Sequence, residues 1–168
     1  MRHLLIALAA ALVLSACGTV PYTPVEYPLR DGLIPPVNVK GQVETANAQS
    51  STAPVIVYSY GGTKLSSDLR SITDVMVKQT QTELAKAARP ETGASKSIEL
   101  KVESLKSTYK FFYWNSELKF VAKLGNGETV MKTVPHGSGV LLQDLNGCIA
   151  ESVMVLLNDP KVRAYLAE

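Results

Sequence analysis

Cys17, one of two cysteines in the chain, is the residue whose chemistry is clearest from its position. It follows a short basic start, an unbroken apolar run over 4–14 and the small residues Ser15 and Ala16. These three parts, in this order, are typical of a secretory signal, and the apolar run is too short for a membrane-spanning helix. The thiol of Cys17 comes directly after this signal.

The segment Leu14-Ser15-Ala16-Cys17 resembles a bacterial lipobox. The resemblance implies that residues 1–16 are a signal peptide, that the thiol of Cys17 is diacylated, and that its amine is acylated after cleavage. Two or more acyl chains give stable membrane binding, whereas one chain binds only marginally. Gly18, where an Asp would favour the inner membrane, favours the outer membrane. We therefore expect lipidation at Cys17; the alternative is a secretory signal with an incidental cysteine.

Two Ser-x-x-Lys sequences, Ser107–Lys110 and Ser116–Lys119, have the spacing of the nucleophile and lysine in penicillin-recognising enzymes. In those enzymes the lysine follows the serine by one helical turn. Here both sequences lie in strand patterns, where positions i and i+3 face opposite sides of a sheet. The accompanying S-D-N and K-T-G motifs are absent from the sequence. We predict that neither serine is a nucleophile.

The other reactive side chains fit structural roles. His136 is the single histidine beyond the signal, which excludes most His-based zinc sites. Gly137–Gly139 lacks the G-x-S-x-G spacing, and Cys148 lies on an apolar helical stripe, where a small core residue is expected. Gly61–Lys64 lacks the frame of a phosphate loop. We predict no catalytic residue, no metal site and no cofactor.

Composition limits the partners. The formal net charge is only +2, and removal of the signal takes away Arg2, so the mature chain is close to neutral. A nucleic-acid partner would require a basic stripe, so we expect none. With Cys17 lipidated, Cys148 has no partner for an intramolecular disulfide. The apolar core therefore has to stabilise the fold.

The chain divides into the signal (1–16), a lipidated, proline-rich tether (17–36) and a single periplasmic domain (37–168). The tether segment holds five of the nine prolines, which favours an extended spacer. We expect its first part to be free and its second part to dock on the domain.

Alternating apolar residues predict strands, and apolar residues spaced by three and four predict helices. The predicted strands are Val37–Val43, Pro54–Tyr60, Ile98–Tyr113 with a bulge at Ser104–Lys106, Leu118–Leu124 and Val130–Val134. The predicted helices begin among Ser66–Asp68 and stop before Arg89, run over about 140–158, and form a short tail at Pro160–Ala167. Loops or turns are predicted at 44–53, 91–96, Asn115-Ser116, Gly125–Gly127 and Pro135–Gly139. Together they indicate an α+β fold: a mostly antiparallel sheet of about five strands with two main helices on one face.

An aromatic run at 109–114 is the candidate interface. In a continuous strand, Tyr109, Phe111 and Tyr113 would share one face, and Phe112 and Trp114 the other. One of these faces belongs to the core, so the other would expose Phe112 and Trp114 as a binding surface. The alternative is that a second layer, such as the tether, covers them.

The pattern as a whole resembles the YajG-like outer-membrane lipoproteins. The features that carry the resemblance are the lipobox, the early strand pair leading into an amphipathic helix, the strand Ile98–Leu105, the meander with its glycine turn, and the C-terminal helix ending at Leu156–Val162. The resemblance implies a lipoprotein of the outer membrane with no assigned activity, and it transfers no site residues.

We therefore expect a lipid-anchored, periplasm-facing adaptor that binds an envelope protein and is not an enzyme. The alternative is a carrier of a lipid or glycan fragment in a pocket between helices and sheet. An adaptor predicts a filled core, whereas a carrier predicts an apolar pocket of several hundred Å³.

Overall fold

The computed structural model describes residues 18–168. The predicted signal, residues 1–16, and Cys17 lie outside the described residues. The strands are β1 (Thr19–Pro21), β2 (Val37–Lys40), β3 (Val43–Asn47), β4 (Pro54–Tyr60), β5 (Thr63–Asp68), β6 (Ala88–Glu91), β7 (Lys96–Lys110), β8 (Tyr113–Leu124) and β9 (Thr129–Ser138). The helices are α1 (Leu69–Ala87), α2 (Leu141–Asn158) and α3 (Pro160–Ala167).

The fold is α+β, as the sequence predicts, but its sheet differs from the predicted one. Within the described residues the main sheet has seven strands, in the order β1-β5-β4-β7-β8-β9, with β3 also paired to β7. It is mixed rather than mostly antiparallel, because β1–β5, β3–β7 and β4–β7 are parallel pairs. Strands β2 and β6 form a separate parallel pair.

The antiparallel meander β7–β8–β9 is confirmed. Its second turn lies at Gly125–Gly127, where Gly127 has a φ of 90°, and the ladder shifts register between Val102 and Ser104 beside the predicted bulge. The predicted exit at Pro135–Gly139 is wrong, because β9 continues to Ser138. Proline lacks the N–H of a ladder bond, but β9 is an edge strand, where proline is tolerated.

Four strands are missing from the prediction: β1, β3, β5 and β6. Gly41, at a φ of 80°, divides the predicted strand Val37–Val43 into β2 and the start of β3, which occupies part of the predicted loop. Strand β5 occupies the region assigned to the helix start, and β6 follows α1 directly. These segments are polar or short, so their pairing partners, rather than their own pattern, make them strands.

The helices follow the sequence closely. Asp68 caps α1, and its carboxylate accepts a hydrogen bond from the Ser71 N–H at 2.8 Å. Helix α3 begins at Pro160, as predicted, and Asp159 caps it. Helices α1 and α2 pack on the same face of the sheet, over a core of Ile, Leu, Val and Phe side chains. The opposite face of the sheet exposes Glu99, Lys101 and Glu103.

The segment 18–36 is packed on the domain from its start. Strand β1 pairs with β5, and Tyr22 is only 5% exposed, its hydroxyl donating to Asn146 Oδ1 at 2.6 Å. Farther along, Gln79 binds the backbone of Tyr27 and Ile34 is buried. Docking of the second part is as predicted, but a free first part is not found within 18–36, because strand pairing and the buried tyrosine hold it.

Candidate functional site

The candidate site is built from three features that meet near one end of the main sheet: the start of β1, the β7–β8 turn and a buried polar cluster below that turn. Cys17, the predicted lipidation site, is outside the described residues. It directly precedes Gly18, and β1 begins at Thr19. The position of β1 therefore limits where a lipid on this residue could attach to the fold.

The β7–β8 turn is formed by Phe111 and Phe112 rather than by the predicted pair Asn115-Ser116. Those two polar residues continue the ladder opposite Thr108 and Ser107. Phe111 has a φ of 62°, and the Phe112 N–H donates to the Lys110 carbonyl at 2.7 Å. A two-residue turn requires such positive φ values, which sequence patterns assign to Gly or Asn, so this turn gave no recognisable signal.

The turn replaces the predicted two-faced strand with an exposed aromatic tip. Phe111 and Phe112 are 80% and 82% exposed, and their rings meet edge to face with centroids 5.0 Å apart. Trp114 lies in β8, half-buried, with its ring 5.3 Å from that of Tyr109. Within the described residues its Nε1 has no hydrogen-bond partner. The two candidate interface residues, Phe112 and Trp114, thus differ: the first is open to solvent and the second is partly packed.

Other side chains at this end of the sheet are also apolar and exposed. We define the tip end as residues 18–20, 59–64, 108–115 and 136–142, which the strand register places at one end of the sheet. Seven large apolar residues of the tip end are about half exposed or more: Val20, Tyr60, Phe111, Phe112, Tyr113, Val140 and Leu142. The tip end contains Lys64 and Lys110 but no Asp or Glu in its sequence.

Below the tip lies a buried polar group that we call the Asp144 cluster: Ser107, Ser116, His136 and Asp144. Ser107 and Ser116 are paired across β7 and β8. Both hydroxyls donate to Oδ2 of the fully buried Asp144, the former at 2.8 Å. Nδ1 of His136 lies 3.2 Å from Oδ1 of the same carboxylate. The cluster joins β7, β8 and β9 to the first turn of α2.

This geometry differs from that of a Ser-His-Asp hydrolase. In such a triad the serine hydroxyl donates to the histidine, but here both serine hydroxyls donate to the carboxylate that also contacts the histidine. Lys110 is exposed at the tip, away from the buried Ser107. The serines of the two Ser-x-x-Lys sequences are therefore hydrogen-bond donors to Asp144. Sequence analysis named both serines and His136 as candidates, but it missed Asp144. The signal that could have identified it is a carboxylate one turn before Cys148 on an otherwise apolar face of the helix.

Gly147 explains how the histidine fits against α2. A Cβ at this position would lie 2.5 Å from a carbon of the His136 ring. This helical glycine therefore marks a close contact between α2 and His136 of β9. Cys148, the next residue, is fully buried, as predicted, and burial raises the pKa of its thiol.

Two open grooves lie away from the tip end. One, of about 410 Å³, lies between β2–β3 and α1 and is lined in part by Val39, Val43, Leu84 and Ala88. The other, of about 470 Å³, is more polar and lies beside Tyr165 and Lys96.

Among residues 18–168, no group of three His, Cys, Asp or Glu side chains is placed to hold a metal ion. None of the described helices has the length and apolarity needed to cross a bilayer.

A scan against protein-family models finds no match to this chain, and a search of the curated proteins finds none either.

Proposed function

We propose that this chain is a lipoprotein of the bacterial outer membrane, anchored through Cys17, whose periplasmic domain is a non-catalytic binding module. Its membership in the YajG-like group is part of the same proposal. The observation that carries it is the position of β1, which begins two residues after Cys17 and is already part of the sheet. Acyl chains on that cysteine would hold the folded domain directly beside the bilayer.

The start of the described chain is attached to both the sheet and α2. Strand β1 pairs with β5 over three residues, and the Tyr22 N–H extends the ladder by donating to the Ser66 carbonyl at 2.7 Å. The buried hydroxyl of Tyr22 adds its bond to Asn146 in α2. Lipid on Cys17 would therefore be coupled to both the sheet and the helical layer.

The free edge of β9 supports a binding role. In the described sheet, β9 is the terminal strand and pairs only with β8 along its ten residues. Such an edge offers backbone donors and acceptors to a strand of another protein. Met131 on this strand is 73% exposed, which adds an apolar contact for a partner. The reactive groups of the Asp144 cluster, by contrast, are engaged with one another, which favours a non-catalytic role.

The anchor is tested by Cys17→Ser in the full chain, expressed in a Gram-negative host. We expect the wild-type protein to fractionate with outer membranes and its N-terminal peptide to have the mass of an acylated cysteine. The variant should retain its signal or be released to the soluble periplasm. Unchanged processing and membrane retention of the variant would refute the proposal.

The binding role is tested with a photo-crosslinking amino acid at Met131 in intact cells, followed by mass spectrometry. The matched control is Lys78, which is exposed on α1 at the opposite layer. One dominant protein adduct at position 131, absent at position 78, would support an adaptor. Equal labelling at both positions would contradict it.

A ligand carrier is the second candidate, and the 410 Å³ groove favours it because apolar residues line much of it. Ala85 also lines this groove, so Ala85→Trp should fill it. If the protein is a carrier, lipid should co-purify with the wild-type chain and be lost from this variant. Absence of bound lipid in protein extracted under mild conditions would leave the adaptor as the better supported function.

A further inference from the structure

We propose that the tip end is a membrane-contacting surface, with Phe111 and Phe112 inserted among the lipids that surround the anchor. This inference rests on the proposed acylation of Cys17 and adds a second contact between the domain and the bilayer. It commits to a lipid surface as the occupant rather than to a protein partner.

The first argument is the distance between the anchor and the aromatic turn. Cys17 is joined to Thr19 through one residue, so their Cα atoms are at most about 7.6 Å apart. Through the strand pairing, Thr19 lies level with Ser59 and with Thr108 on β7. The turn extends about 10 Å beyond Thr108 along the strand direction, given ~3.3 Å per residue. Three strand spacings, about 14 Å, separate β1 from β7.

These distances place the turn and the start of the chain at the same end of the domain. A lipid on Cys17 would fix that end at the bilayer, because only Gly18 separates the cysteine from the sheet. The two phenylalanines form the β7–β8 turn at this end and are among the most exposed large apolar residues of the described chain. Exposed Phe side chains gain free energy by entering the boundary between headgroups and acyl chains.

The second argument is charge. The tip end carries Lys64 and Lys110, both exposed, and no acidic residue. The opposite face of the sheet, in contrast, mixes Glu99 and Glu103 with lysines. An apolar turn flanked by cations matches a surface of anionic phospholipid headgroups, whereas a mixed face does not.

The test uses the acylated full-length protein in vesicles of phosphatidylethanolamine and phosphatidylglycerol. Phe112→Cys supplies a thiol for an environment-sensitive fluorophore, since Cys17 is acylated and Cys148 is buried. The matched control is Met131→Cys, which is similarly exposed but lies outside the tip end. We expect the label at 112 to shift its emission to shorter wavelength and to be quenched by brominated acyl chains, and the label at 131 to do neither.

The outcomes separate this inference from the proposed function. Mass spectrometry of the N-terminal peptide reports acylation independently of the fluorophore. An acylated protein whose label at 112 stays in water, like that at 131, overturns the membrane-contacting tip and leaves the anchor standing. A cysteine without lipid overturns both.

A second measurement does not depend on the labelled variant. A photo-crosslinking phenylalanine analogue in place of Phe112 in intact cells should form adducts with phospholipid. A dominant protein adduct at that position would overturn the inference and assign the tip to a protein partner instead.

Discussion

Two pairs of residues on the β7–β8 hairpin invert the usual distribution of polar and apolar groups. Ser107 and Ser116 are polar and buried, whereas Phe111 and Phe112, only a few residues farther along, are apolar and exposed. The difference lies in what covers them: α2 supplies Asp144 to the serines, whereas the two phenylalanines are left open to solvent. Side chains of types that suggest chemistry are buried and hydrogen-bonded to one another here, and side chains of types that suggest a core are at the surface.

The largest effect expected from this comparison is that of Asp144→Ala. It leaves two serine hydroxyls and a histidine without their acceptor, so we expect a loss of about 3 kcal/mol or more in the free energy of unfolding. Urea denaturation at constant m-value measures it. The control is Glu117→Ala on the exposed side of β8, which should change stability by less than about 0.5 kcal/mol. Equal, small effects of both substitutions would show that the cluster is not stabilising.

Gly147→Ala tests the same cluster from the helix. Alanine should improve helix propensity by about 1 kcal/mol, but its Cβ would overlap the His136 ring. Because Asp144 holds that ring, it cannot move away freely, and we expect a net loss of about 1–3 kcal/mol. Combination with His136→Ala should recover most of the loss that the glycine substitution causes. Additive effects in the double-mutant cycle would argue against direct overlap.

A second buried carboxylate, Asp159, differs from Asp144 in having a lysine partner. Burial raises the pKa of Asp159, but bonds from Lys132 at 2.7 Å and from the first N–H groups of α3 outweigh burial and hold it below the ordinary value. Since the folded pKa is depressed, this group stabilises the fold above about pH 4 and loses its contribution as the pH falls. Lys132→Met should cost about 1 kcal/mol at neutral pH.

The same substitution should also make stability fall less steeply below about pH 4. Without Lys132 the pKa of Asp159 is lowered less by folding, so protonation of this carboxylate costs less stability. Thermal melts between neutral and acidic pH, for both proteins, provide the measurement. A wild-type stability that does not fall in acid more steeply than that of the variant would contradict the assignment.

The smallest effect expected is that of replacing both tip residues, Phe111→Ser with Phe112→Ser. Both side chains are about four-fifths exposed, so stability in solution should change by less than about 0.5 kcal/mol. Chemical denaturation of the two proteins side by side gives the comparison. A large loss of stability would mean that the tip packs on the domain and would remove the contrast with the buried serines.

The elements with strong local signals could be predicted from the sequence. The two long helices, their caps at Asp68 and Asp159, the strand Pro54–Tyr60 and the meander are set by periodicity and by turn or cap residues that act within a few positions. Cys148 was assigned to the core for the same reason. These features depend on contacts close in sequence, which a linear pattern records.

The rest depends on partners far along the chain. Strands β1, β3 and β6 have few apolar residues and are strands because β5, β7 and β2 pair with them. The Asp144 cluster joins residues separated by up to 37 positions, so its acceptor could not be read from the spacing of Ser107 and Lys110. The aromatic turn was misplaced because Phe at positive φ gives no turn signal.

The parallel pairing of β1 with β5 also determines how the domain would bear a mechanical load. A pull transmitted from the bilayer through Cys17 would act along the axis of β1, so the bonds linking it to β5 and the Tyr22 extension would be loaded in shear, together rather than one after another. Shear geometry resists rupture better than peeling. A force from membrane deformation or from a bound partner would then move the whole domain before that force separated β1 from the sheet.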